Sequence, residues 1–343
     1  IAIVRFVLGM LIGADYTVGI PLLSEWAPAK KRAGILGWLL VFWTIGYCIS
    51  YIVGFFMDGF VAAFGNDGWR LVLCTSVVPS LIALVIRFGT PESPLWHIAK
   101  GRPQEALANI HAYLGNQYGL PDRGEEKPAS TSWFALFAPE QWRNTVVSGV
   151  FFFAQVLPFF AISIFLPLVL TKMNIQNPNA SGVLYNVFTL IGVLVGLWIY
   201  GIATRRAYLL WTFYVSAAIL TVMILWTSMS PLVALIMITA FALVLAASIV
   251  PEFSYPAELF PTELRGSGVG LTIAISRFGA GGGTFLLPIV SEQFGIHMAL
   301  WCCVITLLFG RSAEAKNSPR PRAIRFGFDP DHSELPISSR MTL

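Results

Sequence analysis

The chain alternates between long apolar stretches and short polar segments. Residues 34–57 and 181–203, for example, contain no charged side chain. A helix of about twenty residues crosses a bilayer, and a backbone in lipid must satisfy its own hydrogen bonds. The pattern therefore predicts an all-α membrane protein with about nine membrane-spanning helices. The predicted spans are residues 1–23, 34–57, 69–89, 144–170, 181–203, 207–228, 231–255, 266–290 and 296–310.

Composition supports a membrane protein over a soluble one. Charged residues make up 12% of the chain and hydrophobic residues 56%, with a mean hydropathy of +0.71. A soluble globular domain carries roughly 25% charged residues, so this chain has too few to coat a soluble surface. An outer-membrane barrel is also disfavoured, because residues 149–170 do not alternate between polar and apolar positions.

The positive charges are sorted by loop. The net charge of +4 is no sign of nucleic-acid binding, because most cations follow odd-numbered spans. Under the positive-inside rule, those loops face the cytoplasm. The cations in these loops are Lys30, Lys31, Arg32, Arg87, Lys100, Arg102, Arg123, Lys127, Arg143, Arg205, Arg206 and Arg265, whereas the other loops hold Arg70 and Lys172.

One polar segment occurs twice. The first copy is SEWAPAKKRAG, residues 24–34, and the second is PAELFPTELRGSG, residues 256–268. In each, a glutamate is followed by proline and arginine at the same spacing. The copies follow the first and seventh spans, as expected for two six-span repeats of like orientation. Only three spans precede the long loop, so we expect the first three helices to be missing and this chain alone to insert poorly and move no solute.

These features divide the chain into four parts. Residues 1–89 form a partial N-terminal helical half, and residues 90–143 form a cytoplasmic central loop. Residues 144–310 form a six-helix half, and residues 311–343 a polar tail expected to be disordered. Within the central loop, the sequence from Pro103 to Gly115 predicts an amphipathic helix followed by a flexible linker.

Several segments resemble one family of transporters. RFVLGMLIG and SEWAPAKKRAG are similar to the fourth helix of that family and the loop that follows it. PESPLWHIAKGR is similar to a signature after the family's sixth helix, and ELFPTELRGSG is similar to the loop after its tenth helix. In this order they resemble the major facilitator superfamily, and most closely its sugar porters and metabolite:proton symporters. The resemblance covers about residues 1–310 and implies the major facilitator fold.

The chain departs from the sugar-porter pattern at two places. Gly201 of GIATRR stands where the family has an aspartate before the paired arginines. In the fourth predicted span, Gln155 matches a sugar-contacting glutamine, but Phe160 stands where sugar porters carry asparagine. The resemblance therefore does not imply a hexose substrate.

The repeated segments are candidates for a gate. Glutamates and arginines at the cytoplasmic ends of helices from both halves can form ion pairs that close this side. The alternative is that the arginines are ordinary positive-inside residues, but this does not explain the matching glutamates. The resemblance implies a cytoplasmic ion-pair network. The candidate gate residues are Glu25, Arg32, Glu92, Arg205, Arg206, Glu258 and Arg265.

Charges within the spans are the candidates for proton coupling, because an unpaired charge in lipid is costly. Arg5 matches a family arginine whose acidic partner lies in a helix that this chain lacks. Asp15 either couples protons or forms a local polar pair with Tyr16 or Ser24. Glu252 either carries a proton in apolar surroundings or belongs to the cytoplasmic cluster.

Three residues are candidates for substrate binding. Arg277 lies about three turns past the second polar segment, near the depth of transporter sites, where a guanidinium can hold a carboxylate. Gln155 and Phe159 are the other two. We expect the aromatic residues Phe151–Phe153, Phe159 and Phe160 mainly to face lipid, with a place in the cavity beside Gln155 as the alternative for Phe159. The set favours a small organic acid over a neutral, sugar-like metabolite.

Other functions have little support in the sequence. The four cysteines lie within apolar spans and the four histidines are scattered, so we expect neither a metal site nor a cofactor. No span combines a nucleophile with a base, which argues against an enzyme. We expect a monomeric, multi-pass transporter of the cell membrane whose partners are a small-molecule substrate, protons and lipid. A non-transporting sensor on a transporter fold, or an inactive fragment, is the alternative.

Overall fold

The computed structural model describes a helical protein. It covers residues 2–27, 32–115, 119, 133–173, 177–226, 228–252, 255, 259–260 and 264–317, and all regular structure within them is helical. This agrees with the all-α architecture predicted from the apolar stretches.

Five helices precede the long central segment: α1 (Ala2–Trp26), α2 (Arg32–Phe55), α3 (Met57–Phe64), α4 (Gly68–Cys74) and α5 (Val77–Arg87). The helices α4 and α5 together make up the predicted third span. Between them, Thr75 Oγ1 donates to the Val72 carbonyl at 2.6 Å and Ser76 Oγ to the Leu73 carbonyl at 2.7 Å. Such side-chain bonds to the preceding turn compete with the helical ladder, which explains the interruption.

The central segment contains two short helices, α6 (Pro94–Ala99) and α7 (Pro103–Leu114). The second occupies the segment predicted to be helical, with Pro103 in its first turn and Gly115 at its end in a conformation, φ 98°, that favours glycine. The first was not predicted. Its signal was present, because Ser93 Oγ accepts a hydrogen bond from the Trp96 N–H at 3.0 Å and Pro94 opens the helix.

Seven helices follow the central segment: α8 (Trp142–Ile164), α9 (Leu166–Lys172), α10 (Pro178–Ile202), α11 (Arg205–Leu225), α12 (Pro231–Ile249), α13 (Arg265–Gln293) and α14 (Ile296–Asn317). A 3-10 turn, Val250–Glu252, extends α12. The predicted span 144–170 is divided at Phe165 into α8 and α9, and Pro167 lies in the first turn of α9.

Every predicted span coincides with a helical segment. Seven segments within the described residues are long and apolar enough to cross a membrane, and Ile296–Gly310 is a shorter apolar helix. The remaining predicted span corresponds to α1, which is 25 residues long. The boundary of the tail differs from its prediction, because α14 continues past Gly310 to Asn317. The predicted linker at 122–132 and residues 318–343 lie outside the described residues.

The later helices pack against one another in one bundle. Helix α8 packs against α13 and α14, α14 against α11, α11 against α12, and α12 against α10. Its core is rich in fully buried aromatic side chains, including Phe151, Phe152, Tyr185, Phe213 and Phe241. The expectation that the run Phe151–Phe153 faces lipid is therefore wrong for Phe151 and Phe152, which are fully buried, with the Phe151 ring packed against those of Phe213 and Tyr255. A single sequence does not reveal which face of an apolar helix its neighbours cover.

Helix α2 joins the earlier helices to this bundle through α10. Cys48 Sγ donates to the Asn186 carbonyl at 3.1 Å, and Tyr51 Oη donates to the Ser163 carbonyl in α8. Gly37 also lies directly against Leu197, so that a Cβ at Gly37 would stand 2.6 Å from a methyl group of Leu197. Contacts therefore run along most of the length of α2.

Candidate functional site

A cavity of about 780 Å³ lies between the helices that precede and follow the central segment. Helices α1, α2 and α5 line one side, and α8, α12 and α13 line the other. Most of the residues that line the cavity are apolar, and only a few are polar or charged. This polar set comprises Asp15, Trp26, Arg87, Thr90, Tyr113, Gln155, Glu252 and Arg277.

Gln155 is a buried amide on the α8 side of the cavity. Its side chain is 1% exposed, and its Oε1 has no hydrogen-bond partner among the described residues. Leaving such an acceptor unpaired costs roughly 1–3 kcal/mol. The amide therefore has an unused hydrogen-bonding position where a ligand in the cavity could bind. Pro158, one turn further along α8, cannot donate to the Ala154 carbonyl and so weakens the helix near Gln155.

Arg277 lies on the neighbouring helix α13, which approaches α8 very closely. A Cβ at Gly279 would lie 2.9 Å from the Phe153 carbonyl oxygen, and one at Gly283 would lie 2.6 Å from the Leu157 carbonyl oxygen. Only glycine permits this approach. The contact fixes the part of α13 that carries Arg277 beside the part of α8 that carries Gln155.

Glu252 lies in the 3-10 turn after α12 and lines the same cavity. It is partly exposed, and the positive charge of Arg277 acts on its carboxyl group. The structure thus places the two charged residues from the later helices close enough to influence each other. Its two predicted roles, proton carrier and member of the cytoplasmic cluster, both stay predictions, because most side chains of that cluster lie outside the described residues.

Asp15 forms an ion pair that the sequence did not indicate. Arg87 Nη2 donates to Asp15 Oδ1, and both residues line the cavity. Arg87, one of the cations assigned to the cytoplasmic loops, ends α5 and also lines the cavity. The described partner of Asp15 is therefore Arg87, whereas the side chains of Tyr16 and Ser24 lie outside what the structure describes. The two residues are 72 positions apart, and a single sequence contains no signal for an ion pair over such a separation.

Aromatic rings close one part of the cavity. The Trp43 ring of α2 lies 5.5 Å from that of Phe159 and 6.4 Å from that of Phe160, both on α8, measured between centroids. Trp43, Phe159 and Phe160 all line the cavity. Phe159 therefore lines the cavity, and its role in substrate binding stays a prediction. Phe160, expected mainly to face lipid, lines the cavity too.

At another edge of the cavity, Trp26 of α1 meets Tyr113 of α7. Their ring centroids are 5.7 Å apart in an edge-to-face arrangement. The Trp26 Nε1 is buried and donates to no described residue. Sequence reasoning identified neither residue, and Tyr113 could not have been found because its helix belongs to the central loop.

Other candidate residues lie elsewhere. Arg5 is exposed on α1, outside the cavity lining, and forms no ion pair with any residue the structure describes. Glu92 lies before α6, with its Oε2 3.4 Å from His97 Nε2. The remaining gate candidates cannot be placed: the side chains of Glu25, Arg32, Arg205, Arg206 and Arg265, and all of Glu258, lie outside what the structure describes.

Known proteins of similar sequence are transporters. The inner membrane metabolite transport protein YgcS of Escherichia coli is 35% identical over 308 residues, which cover 89% of this chain and 67% of YgcS. The 4-hydroxybenzoate transporter PcaK of Acinetobacter baylyi is 28% identical over 294 residues, which cover 82% of this chain and 62% of PcaK. The chain spans about two thirds of the length of these relatives.

Solved structures show the same fold. A partially occluded inward-open structure of the xylose transporter XylE from E. coli superposes with a TM-score of 0.69 at 16% identity, covering 88% of this chain and 67% of that chain. A second structure, of XylE as a proton:xylose symporter, gives a TM-score of 0.68 over the same shares at the same identity. These relatives and neighbours are transporters rather than enzymes, and the described helices make this a multi-pass protein of the cell membrane.

The sequence resemblance is thereby confirmed, because the family described as "Sugar (and other) transporter" matches residues 1–311. The chain belongs to this family of transporters, within the major facilitator superfamily.

Proposed function

We propose that the protein is a secondary active transporter that carries a small organic acid together with a proton by alternating access. The observation that carries the proposal is the cavity between the two groups of helices, with Arg277 in its lining. In transporters of this kind the substrate binds between the halves, and the halves rock about it.

The chemistry of the lining favours an acid with an apolar body. A guanidinium binds a carboxylate through two charge-assisted hydrogen bonds, which Arg277 can supply. Most of the remaining wall is apolar, with rings from Trp43, Phe159 and Phe160. A hexose in such a wall would lose the hydration of several hydroxyl groups and find few new partners in the apolar part of the wall. The relative PcaK, a 4-hydroxybenzoate transporter, is named for an aromatic acid, and this supports the same class.

Proton coupling follows from the charges near Arg277. With Glu252 ionised, its negative charge competes with a substrate carboxylate for Arg277. A proton on Glu252 removes that competition, so the site gains one proton and one anion together and its net charge is unchanged. Binding of this kind couples the anion to a proton moving in the same direction, which is symport. The structural neighbour XylE, a proton:xylose symporter, supports proton coupling on this fold.

One observation favours a second candidate, a sugar-like metabolite. The unused Gln155 Oε1 accepts hydrogen bonds, and a hydroxyl group would satisfy it. A hydroxylated acid would bind both Gln155 and Arg277, whereas a neutral polyol would offer Arg277 no charge to bind.

Uptake into cells or proteoliposomes of the full-length protein tests the proposal. A radiolabelled aromatic acid, an aliphatic monocarboxylate and a hexose are compared for the parent and for Arg277→Gln. Hydrogen bonds to charged groups contribute about 1.5–3 kcal/mol, so Arg277→Gln should lower acid uptake about ten- to a hundredfold. Arg70→Gln is the control, because Arg70 pairs with Asp67 outside the cavity lining. Saturable hexose uptake that survives Arg277→Gln would contradict the organic-acid substrate.

A further inference from the structure

The helices α6 and α7 form a hairpin next to the membrane helices. Gly101 turns the chain between them in a left-handed conformation, φ 75°. Ala106 and Ile110 bury the inner face of α7, with exposures of 0% and 5%. The hairpin therefore has a small core of its own, and α6 also contacts α1.

His97 is buried inside this hairpin and contacts side chains on both sides of its ring. Its side chain is 7% exposed, with Nε2 3.4 Å from Glu92 Oε2 and 3.3 Å from Asn109 Nδ2. On the other side of the ring, Nδ1 lies 3.3 Å from Glu105 Oε2. One imidazole thus touches the segment before α6 and two side chains of α7. Because His97 lies in α6 itself, these contacts connect α6 to α7.

The last turn of α7 reaches the transport cavity. Tyr113 lines the cavity and packs edge-to-face on Trp26, which ends α1. Thr90 and Pro91, which follow α5, line the same region. These positions belong to loops predicted to be cytoplasmic, so the Trp26–Tyr113 contact lies at the predicted cytoplasmic mouth. More than half of the Tyr113 side chain is exposed, which leaves it room to move.

We propose that Tyr113 and Trp26 form an aromatic gate at the cytoplasmic mouth of the cavity, and that His97 is a positioning residue that holds α7 so that Tyr113 stays over this mouth. The buried Trp26 Nε1, which donates to no described residue, is the donor that a substrate carboxylate meets as it passes the gate. The role of the carboxylate rests on the proposed function, whereas the gate itself does not depend on the substrate.

Thiol accessibility tests the gate without any substrate. Ile273, in the cavity lining, is replaced as Ile273→Cys in full-length protein whose exposed Cys74 and Cys302 are replaced by serine. A membrane-impermeant maleimide is applied to inside-out vesicles, which expose the predicted cytoplasmic side. Protein without Ile273→Cys gives the background.

We expect Tyr113→Ala to raise the labelling rate of the introduced thiol about fivefold or more, because it removes the ring over the mouth. Tyr113→Phe retains the ring and should stay within about twofold of the parent. His111→Ala is the matched control on the same helix, since His111 does not line the cavity. Unchanged labelling in Tyr113→Ala, or an equal rise in His111→Ala, would overturn the gate.

The role of His97 is tested by comparing the effect of His97→Leu on labelling in the parent and in the Tyr113→Ala variant. His97→Leu should raise labelling in the parent background but add nothing to Tyr113→Ala, because it acts only through Tyr113. His97→Gln, which keeps a polar partner for one carboxylate, should restore part of the protection. An additive effect of His97→Leu on Tyr113→Ala would refute the positioning role. Size-exclusion profiles identify any variant that fails to fold, and the Tyr113 variants, altered at an exposed side chain, then carry the test.

Uptake separates this inference from the proposed function. If labelling responds as expected while Arg277→Gln leaves acid uptake intact, the gate stands and the proposed substrate fails. If Arg277→Gln abolishes acid uptake while Tyr113→Ala leaves labelling unchanged, the proposed substrate stands and the gate fails.

Discussion

Arg87 at the end of α5 donates a hydrogen bond to Asp15 of α1, and the two side chains form an ion pair at the wall of the cavity. The side chains are 62% and 54% exposed, so the pair contributes little to stability, on the order of 0–1 kcal/mol. An ion pair that adds little stability but lies in a transport cavity is well suited to open and close during a transport cycle.

Breaking this pair should impair transport with little loss of stability. We expect Asp15→Asn and Arg87→Gln each to lower uptake about tenfold or more, because each leaves the other charge without its partner. The charge exchange Asp15→Arg with Arg87→Asp should recover part of the activity. The control pair Asp67 and Arg70, at 3.2 Å outside the cavity, should tolerate the same changes. Normal uptake by both single variants would show that the pair has no part in transport.

Replacing Glu252 should separate proton coupling from substrate binding. Glu252→Gln cannot release a proton, so we expect it to exchange labelled for unlabelled substrate across the membrane but not to accumulate substrate under a pH gradient. Counterflow and gradient-driven uptake in proteoliposomes measure the two activities. Glu292→Gln is the control, because Glu292 is exposed on α13 and does not line the cavity. Gradient-driven accumulation by Glu252→Gln at the parent rate would exclude Glu252 as the proton carrier.

Gln155→Met should stabilise the empty protein while abolishing uptake. Methionine fills a similar volume and removes a buried acceptor whose lack of a partner costs roughly 1–3 kcal/mol. Thermal unfolding in detergent measures the stability, and uptake measures the function. Ser291→Ala is the matched control, because Ser291 Oγ is also buried without a described partner but lies outside the cavity. It should gain stability and keep uptake. If Gln155→Met transports normally, Gln155 does not bind the substrate.

The α8–α13 contact should not tolerate a side chain at Gly283. A Cβ there would lie 2.6 Å from the Leu157 carbonyl oxygen, so Gly283→Ala should cost about 1–3 kcal/mol and lower the Tm. At Gly281 the same Cβ would meet nothing within 4 Å. Gly281→Ala should therefore be neutral, or raise stability by roughly 0.5–1 kcal/mol through helix propensity. Equal Tm values for the two variants would contradict the close packing of these helices.

The apolar runs and the loop charges by themselves determined the membrane architecture. A bilayer leaves few solutions for a backbone, so a run such as 181–203 specifies a helix without knowledge of its neighbours. Local signals were equally sufficient for α7, where Pro103 and Gly115 mark the two ends. Arg277 could be chosen as a substrate candidate in advance, because a charged residue at membrane depth is costly and therefore conspicuous. Gln155 was a candidate through the family resemblance, and Phe159 through its position near Gln155.

Only the tertiary structure decided which of these residues share one cavity and with which partners. The pairing of Arg87 with Asp15 and the contact of Tyr113 with Trp26 join residues far apart in sequence. The buried faces of Phe151 and Phe152 depend on which helices cover them. Within lipid, apolar side chains are equally stable against lipid tails or against other helices, so hydrophobicity does not say which face turns inward. Close packing and the few polar contacts make that choice, and they exist only once the helices are assembled.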